Sequence, residues 1–310
     1  MDKPKYSVVV PVYNRPGEVK ELLESLVAQT RRNFEVIVVE DGSTDTCEDV
    51  VRQYSARLPI HYFFKPNTGP GPSRNFGYAH ARGDYFVVFD SDCILPPGYF
   101  ESVDQVLKTT HVDAWGGPDR GHRAFTLSQR AMAYTMSSFL TTGGIRGGKK
   151  RVGWFQPRSF NMGISRKVWE VTGGFRFDRS AEDIELSIRM KKAGFRVELI
   201  PEAFVYHKRR ATFGQFLRQV FSFGRGRARV GRAHPEEVKL THWFPALFTL
   251  GVFAVPILFL ISRPLFVIAI VIYGAYLLAI FVHSLAVHRS VPIAGLSVIS
   301  ALLQLCGYGV

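Results

Sequence analysis

The chain has 310 residues, of which 46% are hydrophobic, and carries a formal net charge of +13. That length admits one large domain or two, and the apolar fraction is ample for a core. The basic excess points to anionic partners such as nucleotides, phosphorylated lipids or a membrane surface. Three cysteines, Cys47, Cys93 and Cys306, show neither metal-ligand spacing nor an even count, which argues against a disulfide scaffold or zinc site and fits a reduced compartment.

No secretory signal is expected at the start, because Met1 to Lys5 runs directly into a strand-like stretch rather than a long apolar segment. Tyr6 to Asn14 reads as a first buried strand that ends at a Pro and opens into a polar loop. Glu18 to Gln29 places Val19, Leu22, Leu23, Leu26 and Val27 at helical spacing. Phe34 to Val39 is a second strand ending in Glu40 and Asp41, Asp45 to Arg57 a second helix, and Ile60 to Phe64 a third strand. This alternation predicts βαβ units, a largely parallel sheet and right-handed crossovers. Gly69 to Asn75 opens a short helix through about Ala81; its glycines would let backbone approach a phosphate and Arg74 would pair with one, or the stretch is a plain turn.

Tyr85 to Phe89, five apolar residues followed at once by Asp90-Ser91-Asp92, reads as a fully buried strand whose end carries a site. In open α/β sheets ligands bind at the carboxyl ends of strands. If the segment stays extended, the spacing of two puts Asp90 and Asp92 on one side, close enough to share Mg²⁺ or Mn²⁺. The alternative is a strand ending in a polar turn.

Further on, Tyr99 to Leu107 is expected to be a helix, Asp113 to Gly117 a short strand and Phe125 to Leu140 an amphipathic helix. Thr142 to Lys150 is a Gly-rich basic loop suited either to closing over a ligand or to linking. Phe160 to Ile164 reads as a strand and Arg166 to Val171 as one or two helical turns. Ser180 to Leu186 leads a helix through Ala193, with Gly194 as its natural stop. Ser180 with Asp183 three residues on resembles a capping arrangement, so Asp183 could serve only as an acid at a helix start.

The order of motifs resembles the family 2 glycosyltransferases, an inverting group with the GT-A nucleotide-sugar fold. The likeness runs from about Tyr6 to Arg232: Val10-Pro11-Val12-Tyr13-Asn14, Val38 to Asp45, Arg74-Asn75 with Gly83-Asp84-Tyr85, Asp90-Ser91-Asp92, Asn161-Met162-Gly163 with Gly173-Gly174-Phe175, and Ala181-Glu182-Asp183 through Phe195. It implies an α/β, Rossmann-like GT-A domain with a mostly parallel sheet. It also implies donor contacts from Pro11, Tyr13, Asn14, Asp41, Arg74 and Asp90, with Asp41 accepting from the base of the nucleotide. Asp90 and Asp92 would hold ribose and a divalent metal, Mg²⁺ or Mn²⁺, whose task is to neutralise a diphosphate leaving group. Asp183 would be the general base, with Glu182 its nearest rival. His207 matches a position that in some relatives helps hold metal or diphosphate, though a lone His is often structural. Processive synthases of the family carry Gln-x-x-Arg-Trp; here Gln215 to Gln219 lacks the Trp, which favours a single transfer.

Phe244 to Ile261, Leu265 to Val282 and Val291 to Val310 are each about one bilayer crossing of apolar residues, or else buried soluble helices. Basic residues cluster at Lys208 to Arg210, Arg225 to Lys239 and His288-Arg289, which predicts a cytoplasmic catalytic domain on a bacterial inner membrane. They abut apolar spans rather than interleave with aromatics over a surface, so nucleic acid is not an expected partner. The expected division is a catalytic domain over 1–232, with a nucleotide-binding half 1–95 and an acceptor-side half 96–232, then membrane helices over 240–310. The predicted function is a membrane-anchored, metal-dependent glycosyltransferase acting from a nucleotide sugar on a glycan or lipid-linked acceptor. A non-catalytic nucleotide-sugar-binding scaffold is the alternative, and a nucleotidyltransferase a third.

Overall fold

The computed structural model describes residues 3–120, 125–142, 154–207 and 212–310. The stretches Gly143 to Lys150 and Lys208 to Arg210, singled out above, lie outside them. Elements are numbered along the chain: β1 (Tyr6–Val12), α1 (Pro16–Val27), β2 (Phe34–Asp41), α2 (Glu48–Tyr54), β3 (Ile60–Lys65), α3 (Pro70–His80), β4 (Tyr85–Phe89), β5 (Cys93–Ile94), α4 (Tyr99–Thr109), β6 (Ala114–Gly116), β7 (Asp119–Arg120), α5 (Leu127–Ser137), α6 (Phe139–Thr142), β8 (Asn161–Ser165), α7 (Arg166–Thr172), α8 (Glu182–Lys192), β9 (Val197–Leu199), β10 (Val205–His207), α9 (Phe213–Ala233), α10 (Phe244–Ile261), α11 (Arg263–His288) and α12 (Val291–Gly309). The chain divides into two compact units, one of residues 1–122 and 153–208, the other of 123–152 and 209–310. Packing therefore groups α5, α6 and α9 with the apolar helices, where the sequence division at 232 sets them with the N-terminal part.

The first unit is built on a seven-stranded sheet of order β3-β2-β1-β4-β8-β6-β9. The pairs β3/β2, β2/β1, β1/β4 and β6/β9 are parallel, and β8 runs antiparallel to both β4 and β6. The uninterrupted apolar runs of β1, β2 and β4 follow from burial on both faces. Val8, Val10, Val36, Val38, Val87 and Phe89 pack into one core with Leu22 and Leu26 of α1 and Phe100 of α4. The alternate residues Val9, Ile37, Val39, Phe86 and Val88 pack with Tyr78 of α3, Val168 of α7 and Leu186 of α8.

Several boundaries move for physical reasons. The helix expected over Asp45 to Arg57 is limited to α2, and β4 stops at Phe89. Asp90 to Cys93 is a turn closed by the Cys93 N–H donating to the Asp90 carbonyl, so strand alternation does not govern Asp90 and Asp92. The helix expected over Phe125 to Leu140 breaks at Ser138, whose backbone is extended. Ser180 does not cap α8: Ser180 and Ala181 sit at φ 57° and 63°, and Ala181 is the cap residue, with no side-chain bond. Gly194 adopts φ 75°, as its role at the helix end requires.

In the second unit, Met132 and Met136 of α5 bury against Phe216 and Val220 of α9, while Tyr134 buries with Ile280 of α11 and Ala301 of α12. The outward face of α9 carries Arg218, Phe221, Arg225, Arg229 and Arg232, all exposed and spaced three or four residues apart on one stripe. Among the described residues, three helices are long and apolar enough to cross a membrane: Leu240–Ile261, Arg263–His288 and Val291–Gly309.

Candidate active site

The carboxyl ends of the strands gather a set of charged side chains. Antiparallel pairing of β10 with β5 sets His207 opposite Cys93, which brings an imidazole from late in the chain beside the acids that follow β4. His207 Nε2 lies 3.1 Å from Asp92 Oδ1, and the ring stacks on Phe160 at 4.7 Å between centroids. On the other side of the same carboxylate, the Arg15 guanidinium donates to Asp92 Oδ2 at 2.6 Å. Burial alone would raise the Asp92 carboxyl; the His207 and Arg15 charges outweigh it and hold the group well below the usual carboxylate range.

Ligating atoms of Asp92, Cys93 and His207 lie within 4.8 Å of one another. The first and last suit a hard or borderline divalent ion, a carboxylate oxygen facing an imidazole nitrogen. Cys93 suits it less: burial pushes its thiol well above its ordinary value, and the Sγ is turned to the Phe160 carbonyl at 3.4 Å. Asp90 has a different partner, since Arg74 Nη2 donates to its Oδ1 at 2.8 Å.

Arg74 is the buried junction of the site. Only 2% exposed, it also donates through Nη1 to Glu182 Oε1 at 2.8 Å and lies over the Phe175 ring at 5.3 Å. One guanidinium thus ties the end of β4 to the start of α8. Burial raises the Glu182 carboxyl, and Arg74 offsets part of that effect. The neighbouring Asp183 faces Arg158 Nη1 at 3.7 Å and receives the Ser159 N–H at 3.4 Å. Its other oxygen, Oδ1, accepts the Ile184 N–H at 2.8 Å, so Asp183 is held by backbone N–H groups and a distant guanidinium, where Glu182 makes a direct 2.8 Å ion pair with Arg74. Asp183 is presented by a backbone that holds two consecutive non-glycine residues in the left-handed region, an arrangement that costs about 1–3 kcal/mol per residue and clusters at functional sites.

The donor residues expected near β1 and β2 fall into two kinds. Tyr13 is 53% exposed, whereas Pro11 is a ladder position of β1 opposite Val39. Asn14, at φ 52°, stitches two loops: its Oδ1 accepts from the Thr44 and Asp45 N–H groups at 2.8 and 3.0 Å, and its own N–H donates to Ser43 Oγ. Asp41 is buried and accepts from the Thr68 and Gly69 N–H groups at 2.9 and 2.8 Å and from Lys65. Burial would raise its carboxyl, but these donors hold it below its ordinary value. Gly69, at φ 100°, needs to be glycine to turn its N–H onto that acid. Arg15, Lys65 and Arg158 are absent from the sequence reading. The signal available was position: Arg15 and Lys65 each sit at the carboxyl end of a parallel strand.

A family model described as "Glycosyl transferase family 2" matches residues 7–171. An uncharacterized glycosyltransferase of Rickettsia felis is 42% identical over 104 residues, 34% of this chain and 17% of that protein. The probable glycosyltransferase YdaM of Bacillus subtilis is 26% identical over 235 residues, 72% of this chain and 55% of that one. The chain thus spans about half or less of the length of these relatives. Among solved structures, the mannosyltransferase PcManGT of Pyrobaculum calidifontis, in complex with GDP-Man and Mn²⁺, superposes with a TM-score of 0.62 at 20% identity, covering 98% of this chain and 86% of that one. S. aureus TarS 1–349 with UDP-GlcNAc gives 0.51 at 17%, covering 96% and 90%. These likenesses show a shared fold, and with more than half of its length matched by the family model, the chain belongs to glycosyl transferase family 2.

Proposed function

We propose that the chain is a membrane-anchored inverting transferase that moves a hexosyl or related sugar from a nucleotide sugar to a glycan or lipid-linked acceptor, in cell-envelope polysaccharide or glycolipid synthesis. The observation that carries this reading is that buried Arg74 joins the acids after β4, where Arg15 and His207 flank Asp92, to the acidic start of α8 that presents Asp183. The PcManGT and TarS complexes, solved with GDP-Man and UDP-GlcNAc, support a nucleotide-sugar donor.

Asp92 and His207 would hold a divalent ion, Mg²⁺ or Mn²⁺, with Asp90 the adjacent acid. When bound, such an ion supplies positive charge to the departing diphosphate. Arg15 adds a second cationic group at the same carboxylate. Asp183 accepts the proton of the acceptor hydroxyl as that oxygen attacks the anomeric carbon, and attack opposite the leaving group inverts the centre. Tyr13 offers a ring face to the donor, and Arg74 keeps Asp90 and Glu182 in place. The exposed apolar helices anchor the protein. The basic residues from Arg225 to Lys239 and at His288-Arg289 set the catalytic unit on the cytoplasmic face of a bacterial inner membrane.

The test is sugar release from a panel of nucleotide sugars with and without Mn²⁺, beside calorimetry of donor binding to Asp92→Ala. One donor is expected to turn over with metal stimulation, and Asp92→Ala to lose metal-dependent binding while keeping its fold. Donor binding without release from any sugar would leave the non-catalytic scaffold instead.

A further inference from the structure

We infer that the bilayer is crossed twice, by the hairpin of α10 and the first part of α11, and that α12 stays on the side from which α10 departs, as an internal helix of the second unit. The inference rests on the membrane anchoring proposed above, and it departs from three crossings, which length and composition alone would give.

Burial separates the helices first. Only 11% and 6% of the apolar windows of the first two spans are buried, against 44% for α12. The large apolar side chains of Leu250, Phe253, Ile257, Leu265, Ile268 and Val271 stand exposed along the hairpin, whereas on α12 the exposed large apolar residues are Val291 and Ile299. The covered face of α12 includes polar groups: Ser297, Ser300 and Gln304 are buried. Ser297 Oγ bonds Ser284 Oγ of α11 at 2.8 Å, and the Ser297 carbonyl accepts from Thr135 Oγ1 of α5 at 3.4 Å. Ser297 thus has polar partners on two other helices, and buried polar groups of this kind fit an interior position better than a lipid-facing one.

Register then places the helices along one another. Phe259 meets Phe266 beside the turn, and Phe248 meets Tyr273 and Tyr276, so α10 is matched by α11 from Arg263 to about Tyr276. The 18 residues of α10 rise about 27 Å at 1.5 Å each, close to the thickness of one hydrocarbon core. The rest of α11 runs on past the start of α10. There it meets α5, Tyr134 donating to the Ile280 carbonyl at 3.3 Å, and is flanked by α12 running back antiparallel, with Ser297 at Ser284 and Ala301 at Ile280. The end of α12 meets the first two turns of α10: Thr249 Oγ1 donates to the Leu305 carbonyl at 3.4 Å, and a Cβ on Gly309 would lie 2.3 Å from the Pro245 carbonyl oxygen. The start of α12 therefore lies beyond the entry of α10, and its end lies within about two turns of that entry, far from the Ser262 turn. The occupant of the bare hairpin surface is lipid acyl chain, argued from its length, its apolarity and the clustered arginines of α9 in the same unit.

The experiment labels the full chain in sealed vesicles of one orientation with a membrane-impermeant maleimide. It uses Lys239→Cys, Ser262→Cys and Val310→Cys, each in a Cys306→Ser background because Cys47 and Cys93 are buried. Each position is first shown to label in detergent. Lys239→Cys and Val310→Cys are expected to label from the same face, and Ser262→Cys only from the opposite face. Labelling of Val310→Cys together with Ser262→Cys would establish three crossings and overturn the inference while leaving the anchoring intact. Labelling of all three from a single face would remove both.

Discussion

At the scale of single residues, the site separates acids closed into direct ion pairs, Asp90, Asp92 and Glu182, from Asp183, whose partners are two backbone N–H groups and a guanidinium at 3.7 Å. Asp183→Asn should bind donor normally and lose about 10²- to 10⁴-fold in turnover, because an amide keeps the shape and cannot take a proton. Normal turnover of Asp183→Asn beside a dead Glu182→Gln would move the base to Glu182. Arg74→Met leaves Asp90 and Glu182 without their shared partner, and removing one member of a buried ion pair costs about 3–5 kcal/mol, so denaturant midpoints should fall sharply, less so for Arg74→Lys. Asp41 has a depressed carboxyl in the folded chain, so its contribution is present above the ordinary unfolded value of about 3.9 and is lost as pH falls through that value toward the folded one. Asp41→Asn should lower stability at neutral pH and flatten its decline between about pH 5 and 3, which thermal melts across that range would record. Asp41, Asp90 and Asp92 stood out in the sequence because they follow apolar strands, whereas Glu182 and Asp183, at the start of a helix, stood out only through the family resemblance. Their partners did not: Arg15 lies 77 residues from Asp92, and Arg74 lies 108 from Glu182, distances over which only the fold decides who meets whom.

Elements were legible where one physical cause dominates. Strands β1, β2 and β4 are apolar on both faces because helices cover both, and no competing signal obscures them. The start of α8 was misread because Ser180 has the right chemistry for a cap but the wrong backbone: at φ 57° it belongs to a strained turn. The Asp90 to Cys93 turn was likewise invisible to a period-two argument, which assumes the chain stays extended. Gly163 shows how β8 is admitted to the sheet. It pairs with Trp115 of β6, and a Cβ there would lie 2.2 Å from the buried indole. Gly163→Ala must displace that ring, and overpacking of this kind costs about 1–3 kcal/mol, which should appear as a lowered melting temperature and a shifted Trp fluorescence maximum.

The whole molecule is electrically divided. The second unit, residues 123–152 and 209–310, contains 16 of the 39 Lys and Arg residues but only 2 of the 26 Asp and Glu, so it is strongly cationic while the first unit is close to neutral. Cationic side chains near an anionic leaflet gain about 1 kcal/mol each. The full protein should therefore melt higher in nanodiscs of anionic lipid than in zwitterionic ones, and 0.5 M salt should erase most of the difference; Arg218→Gln with Arg225→Gln and Arg232→Gln should shrink it at low salt. The burial of α12 against α5 bears also on biogenesis. Everything the first unit needs has left the ribosome by residue 208, but α5 cannot cover Met132, Tyr134 and Met136 until α9 and, last of all, α12 have been made. At about 5–20 residues per second, the roughly 170 residues from the end of α5 to the end of α12 leave α5 without its full set of partners for roughly 10–30 s. Nascent chains stalled before Val291 should be cut by trypsin at Arg130, and released full chains protected, so α5 is the segment for which a holding chaperone or the insertion machinery has the longest task.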